Sequence, residues 1–106
     1  MNMHEMKQSS RAAADLMRLL SNEHRLMILC QLVTGERSVG ALADLLGVRQ
    51  TVVSQHLSLL RRDGIVAPRR DGQTIYYSLD SAAARQVIET LYRLYCAPAE
   101  AAEATA

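Results

Sequence analysis

The 106-residue chain has no Phe and no Trp, only two Cys and two Pro, and no excess of charge of either sign. Without large aromatics, its core must be assembled from Leu, Val, Ile, Met, Ala and the four Tyr. Cys30 and Cys96 show no CxxC or CxC spacing, which argues against a secreted disulfide framework and for a reducing compartment. No apolar run approaches the roughly 18–20 residues needed to cross a bilayer. Residues 1–11 are polar and lack the apolar core of a secretory leader. A cytoplasmic protein is therefore expected. The formal net charge is +1, so any nucleic-acid footprint has to come from local clustering.

What is present fits one small globular domain, with 49% hydrophobic and 22% charged residues. A chain this short buries about 65% of its unfolded surface, so self-association is a natural supplement. The expected division is a flexible amino terminus over 1–9, one domain over 10–96 and an Ala/Glu/Pro-rich flexible tail over 97–106.

Hydrophobic spacing predicts four helices, a hairpin and a last helix. Ala13, Leu16, Met17 and Leu20 mark one face of the first helix, over 10–20. Ser21 or Asn22 caps a second helix with Leu26, Leu29, Cys30 and Val33 as its stripe. Ser38 opens a short third helix that Gly47 stops, and a fourth runs over 51–62 with Val53, Leu57 and Leu60 on its apolar face. Two β-prone runs flank Asp71-Gly72, the strongest short-range hairpin signal, and this hairpin is expected to be the only β element. Asp80 or Ser81 caps a final helix carrying Val87, Ile88, Leu91, Tyr92 and Tyr95 at helical spacing.

The third and fourth helices, joined through Leu46-Gly47-Val48-Arg49, form a helix-turn-helix pattern. Such a unit lays its second helix in the major groove, where hydroxyl, amide, imidazole and guanidinium groups meet base edges and phosphates. The fourth helix offers Gln50, Thr51, Ser54, Gln55, His56 and Ser58, with no acidic residue between Arg49 and Arg62. Five arginines (Arg49, Arg61, Arg62, Arg69 and Arg70) oppose only Asp63 and Asp71 over this helix and the hairpin, which can act as a wing on the DNA backbone or minor groove. The bland alternative is a solvated polar face with a structural lid. His56 in particular reads equally as a packing residue.

These residues resemble winged-helix repressors of the ArsR/SmtB family. The resemblance is carried by Leu20-Ser21-Asn22-Glu23-His24-Arg25-Leu26, Val52-Val53-Ser54-Gln55-His56-Leu57-Ser58, Asp63-Gly64-Ile65-Val66 and Arg70-Asp71-Gly72-Gln73-Thr74-Ile75-Tyr76-Tyr77, and covers about residues 10–96. It implies a mainly α fold with a β-hairpin wing (α-α-α-α-β-β-α), a homodimer formed through the first and last helices, binding to palindromic operator DNA, and repression. It also implies DNA contacts from Arg49, Gln50, Thr51, Ser54, Gln55, His56 and Ser58 on the reading helix and from Arg69, Arg70 and Gln73 on the wing.

Neither standard metal-sensing pattern of the family fits. The third helix has no Cys-x-Cys, the last helix has no His and only Glu89 as an acid, and two Cys alone supply half of a tetrahedral site. No metal and no cofactor are expected. The chain also lacks a catalytic CxxC, a Ser/His/Asp set and a phosphate loop, so an enzyme is not expected. The placement of Cys30 in the second helix and Cys96 at the end of the last resembles the persulfide-sensing SqrR/BigR-type branch. There, reactive sulfur species convert a dithiol to a polysulfide bridge and DNA is released, so that sulfide-detoxification genes are expressed. A metal-, metalloid- or peroxide-responsive repressor of the same fold remains the alternative, and Cys30 on its apolar stripe reads also as an inert small hydrophobe.

Overall fold

The computed structural model describes residues 2–96; Met1 and the expected tail over 97–106 lie outside them. The order of elements is α1 (Met3–Leu20), α2 (Glu23–Leu32), β1 (Arg37–Ser38), α3 (Val39–Leu46), α4 (Gln50–Arg62), β2 (Val66–Asp71), β3 (Thr74–Leu79) and α5 (Ala82–Tyr95).

Helix α1 begins at Met3 rather than at residue 10, so most of the segment expected as a flexible terminus is helical. Asn2 is the reason: its side chain accepts hydrogen bonds from the His4 N–H (2.9 Å) and the Glu5 N–H (3.4 Å), and Glu5 places negative charge on the first turn. At the other end, Arg25 donates through Nε to the Leu19 carbonyl (2.5 Å) and through its guanidinium to the Arg18 carbonyl (3.3 Å). It thereby satisfies the Leu19 acceptor at the helix end and joins Ser21, which also donates to the Arg18 carbonyl. Asn22 caps α2 by accepting from the Arg25 N–H, so one residue pair fixes the α1–α2 corner.

The α3–α4 unit is built by its caps. Ser38 Oγ accepts from the Ala41 N–H at 3.0 Å, starting α3. Gly47 ends it at φ +69, a left-handed conformation that glycine adopts without a Cβ clash, while the Val48 N–H returns to the Ala43 carbonyl. Helix α4 then starts from Arg49 with no side-chain cap.

In the hairpin, Asp71 faces Thr74 across a two-residue loop, Gly72-Gln73. Gly72 has φ +64 whereas Gln73, like every other described non-glycine residue, has negative φ; this is the sign pattern of a type II′ turn, whose twist matches the strands. The hairpin is not the only β element. Arg37 and Ser38 pair with Tyr77 and Tyr76, giving a sheet of order β1-β3-β2. A two-residue strand shows no alternation in sequence; pairing to β3 alone defines it.

Helix α2 sits at the centre. Its Ile28, Leu29 and Leu32 pack with Leu42 of α3, Val53, Leu57 and Leu60 of α4, Val66 and Tyr77 of the hairpin, and Ala84 and Ile88 of α5. Each fully buried aliphatic side chain contributes about 1.5–3 kcal/mol. The molecule is nonetheless flat, 47 × 43 × 20 Å, with a radius of gyration of 15.5 Å. A compact chain of this length would have about 13 Å. The excess comes from α1 and the end of α5, which leave Met3, Met6, Met17, Tyr92, Leu94 and Tyr95 exposed. No described helix is long and apolar enough to cross a membrane.

Candidate nucleic-acid interface and cysteine pair

The 3.6-residue repeat of α4 separates its faces. Val53, Leu57 and Leu60 are buried in the core, and Thr51, Ser54, Gln55, Ser58, Arg61 and Arg62 are exposed. Arg49 and Gln50 are exposed at the start of the helix. His56 departs from this set. Its ring is half-buried and meets His24 of α2 edge-on at 5.6 Å. Burial, then Arg25, then His24 push its pKa below the ordinary imidazole value.

Between α4 and the wing lies a polar cleft lined by Ser38, Val39, Gly40, Gln50, Ser54, Gln73, Thr74 and Ile75. It brings together Gln50, Ser54 and Gln73 from two separate stretches of the chain. A Cβ on Gly40 would stand 3.4 Å from Gln50 Nε2, in ordinary contact with it.

The two wing arginines are on opposite faces, because consecutive side chains of a strand alternate, and each shares its face with its cross-strand partner. Arg70 pairs with Ile75, one of the residues that line the cleft. Arg69 pairs with Tyr76 on the other face, its guanidinium 4.8 Å from the ring centroid. There it donates through Nε and Nη2 to both carboxylate oxygens of Glu36, at 3.1 and 2.6 Å. This bidentate bond holds the Glu36 carboxyl below the usual carboxylate range. Arg69, expected as a phosphate contact, is thus ion-paired within its own chain at an exposed site. Among the described residues Arg70 has no such partner.

Cys30 is half-buried near the end of α2, and Cys96 is exposed as the residue that closes α5; both thiols are free. Helical spacing puts Cys96 on the stripe of Ile88 and Tyr92, at successive steps of four. Ile88 and Tyr92 line a cavity of about 560 Å³ together with Cys30, Gln31, Val33, Thr34, Arg37, Glu89 and Arg93. The Arg85 guanidinium ties the two helices by donating to the Val33 carbonyl at 2.9 Å. Burial pushes the Cys30 thiol above its ordinary value, and the nearby Cys96 pushes it further. The fold therefore brings the two sulfurs within electrostatic reach across the α2–α5 contact.

Comparison with known proteins decides the family. Residues 22–67, from the α2 cap into β2, match the model of the bacterial regulatory proteins of the arsR family. The transcriptional activator HlyU of Vibrio cholerae is 47% identical over 96 residues, spanning 91% of this chain and 89% of that protein. This chain belongs to the arsR family. The structure of reduced HlyU from the same organism superposes with a TM-score of 0.83, covering 87% of this chain and 97% of that one at 47% identity. The transcriptional repressor BigR from Xylella fastidiosa gives 0.85 at 41% identity, covering 91% and 98%. A homodimeric winged helix-turn-helix DNA-binding domain from Mycobacterium bovis gives 0.72 at 30% identity, covering 84% and 83%.

The arsR-family chain is accordingly a transcriptional regulator with a winged helix-turn-helix, and its relatives are regulators rather than enzymes. Sequence reasoning missed Glu36, which holds Arg69, and Ser38 and Thr74, which line the cleft. It also missed Arg37 and Arg93 beside Cys30. Only Arg93 left a local signal, one helical turn beyond Glu89; the others arrive by strand pairing. Among the described residues no three His, Cys, Asp or Glu side chains converge as metal ligands.

Proposed function

We propose that this regulator is a homodimeric, cytoplasmic repressor that binds a palindromic operator and releases it when reactive sulfur species bridge Cys30 and Cys96. The observation that supports the reading is Cys30 on the wall of a cavity between α2 and α5, with Cys96 closing α5 one helical turn beyond Tyr92 of that wall. The flat shape and the exposed apolar side chains of α1 and α5 support a second copy as the missing cover. A relative solved as a homodimer and another named a repressor agree with this.

The chemistry balances without an added oxidant. One cysteine thiolate attacks the outer sulfur of a persulfide RSSH; the S–S bond breaks, RS⁻ leaves, and the cysteine becomes a persulfide. A second transfer lengthens it by one sulfur. The other cysteine thiolate then attacks the inner added sulfur and expels HS⁻, closing the bridge. The two electrons lost by the cysteine pair are accepted by sulfane sulfur, which leaves as one H₂S per closed bridge. Bridges with inserted sulfurs also tolerate thiols whose spacing would strain a direct disulfide. Once formed, the bridge pins the end of α5 to the DNA-binding body and fixes the spacing of the two reading helices in the dimer.

The test is operator release, followed by fluorescence anisotropy, with a dialkyl trisulfide (whose own sulfurs do not titrate), hydrogen peroxide and zinc. Release is expected with the trisulfide only. Cys30 must lose its proton in either order of attack, and burial keeps that proton on. The rate is therefore expected to rise about tenfold per pH unit from pH 7 upward. Release by zinc, or a rate flat in pH, contradicts the reading.

On the DNA side, Arg70→Ala is expected to lower the salt dependence of binding by about 0.9 in log–log slope, the loss of one phosphate contact. Arg69→Ala is expected to leave the slope unchanged, because Glu36 already holds that charge. Equal slopes for the two variants would contradict the assignment of faces.

A further inference from the structure

The α2–α5 cavity is larger than an inorganic sulfur chain requires. Its volume of about 560 Å³ lies in the range of small-molecule sites and suits a thiol of amino-acid to tripeptide size. One wall is Cys30 and Val33, the other Ile88 and Tyr92. Its charged lining is Arg37, Arg93 and Glu89, and Glu89 faces Arg85 at 3.8 Å. The charge left over is positive. Arg37 is held loosely, with hydrogen bonds of 3.4 Å to the Gln31 carbonyl and 3.5 Å to Thr34 Oγ1. Arg93 donates to Thr90 Oγ1 at 3.1 Å. Each guanidinium carries five N–H groups, so both retain donors for a ligand.

We propose that this cavity is a docking site for a carboxylated low-molecular-weight thiol persulfide, its carboxylate held by Arg37 and Arg93 and its outer sulfur directed at Cys30. The proposal rests on the sulfur-sensing reading above and names the donor class for it. The transfer is RSSH plus the Cys30 thiol giving RSH plus the Cys30 persulfide; the donor's S–S bond breaks, and the thiol proton ends on the departing RSH. Docking raises the local concentration of the donor and orients it. A neutral persulfide of the same size gains the apolar walls only, and inorganic polysulfide gains charge without the fit.

The experiment follows bridging of the full chain by intact mass against time. The donors are N-acetylcysteine persulfide, the matching N-acetylcysteinamide persulfide and sodium tetrasulfide. The carboxylated donor is expected to react about three- to tenfold faster than the amide and to saturate, the gain one charge-assisted pair provides. Arg93→Gln, at an exposed site, is expected to remove that advantage while leaving the amide rate unchanged, and Arg37→Gln to do the same. Equal rates for the two organic donors, or a rate advantage that survives both substitutions, overturns the docking site and leaves the dithiol reading standing. If no donor bridges Cys30 to Cys96, both fall.

Discussion

Replacing Cys30 by Ser is expected to leave operator affinity within about twofold of the parent and to abolish its loss on persulfide treatment, a loss of about a hundredfold in the parent. Cys30 lies on the flank of α2 facing α5, away from Thr51, Gln55 and Ser58 on the reading helix. Exchange of a half-buried sulfur for a hydroxyl removes little packing. The unbridged protein therefore keeps its DNA-binding form. What disappears is the second anchor of the bridge, and a persulfide on Cys96 alone imposes no tie between helices. Cys96→Ser is expected to behave the same way, although that side chain is exposed and is no part of the core. Equilibrium titration of labelled operator before and after the donor reads both. Release that survives in either variant removes the bridge from the mechanism.

The second large effect concerns the reading helix. Gln55 is exposed on the outward face of α4, between Thr51 and Ser58, with no partner among the described residues to compete for its amide. An amide can both donate and accept at an adenine edge, and such a bidentate pair discriminates by about 1–3 kcal/mol. Gln55→Ala is expected to weaken operator binding by about ten- to hundredfold and to leave non-specific binding and its salt slope almost unchanged. Substituting His56 has a different signature. Its ring packs on His24, so His56→Ala is expected to lower the melting temperature more than it alters sequence preference. Loss of specificity from His56→Ala with none from Gln55→Ala would reverse the assignment of faces.

The helices that frame these sites were legible because each carries its own punctuation. Asn22, Ser38 and Ser81 cap α2, α3 and α5, Gly47 closes α3, and Gly72 turns the hairpin. Those signals are local and act within a few residues. What stayed hidden depends on partners distant in sequence. Strand β1 exists only by pairing with β3, and Arg69 looked free for phosphate until the fold placed Glu36 beside it. His56 shares its helix with the outward polar residues, and only the packing of α2 sets its ring against His24. The early start of α1 escaped for another reason. Residues 3–9 bury nothing, so no apolar stripe reported the helix that the Asn2 cap begins.

The cysteine pair lies between these cases. Its residues and their helices were readable, but their approach required the α2–α5 packing around Ile88. The cavity arginines came with that packing and could not be separated in sequence from ordinary surface charge. Glu36 couples the two regions in the chain: it sits in the segment between α2 and β1, next to Arg37 of the cavity, and it grips Arg69 of the wing.

The most direct test of the central claim is the non-reducing intact mass and peptide map of the chain recovered after persulfide has released it from operator. The account predicts a single chain heavier by one or more sulfur atoms and lighter by two hydrogens, with one peptide joining Cys30 to Cys96 and reversal by a thiol reductant. Released protein in which Cys30 and Cys96 carry separate adducts, or join two chains instead of one, would contradict it.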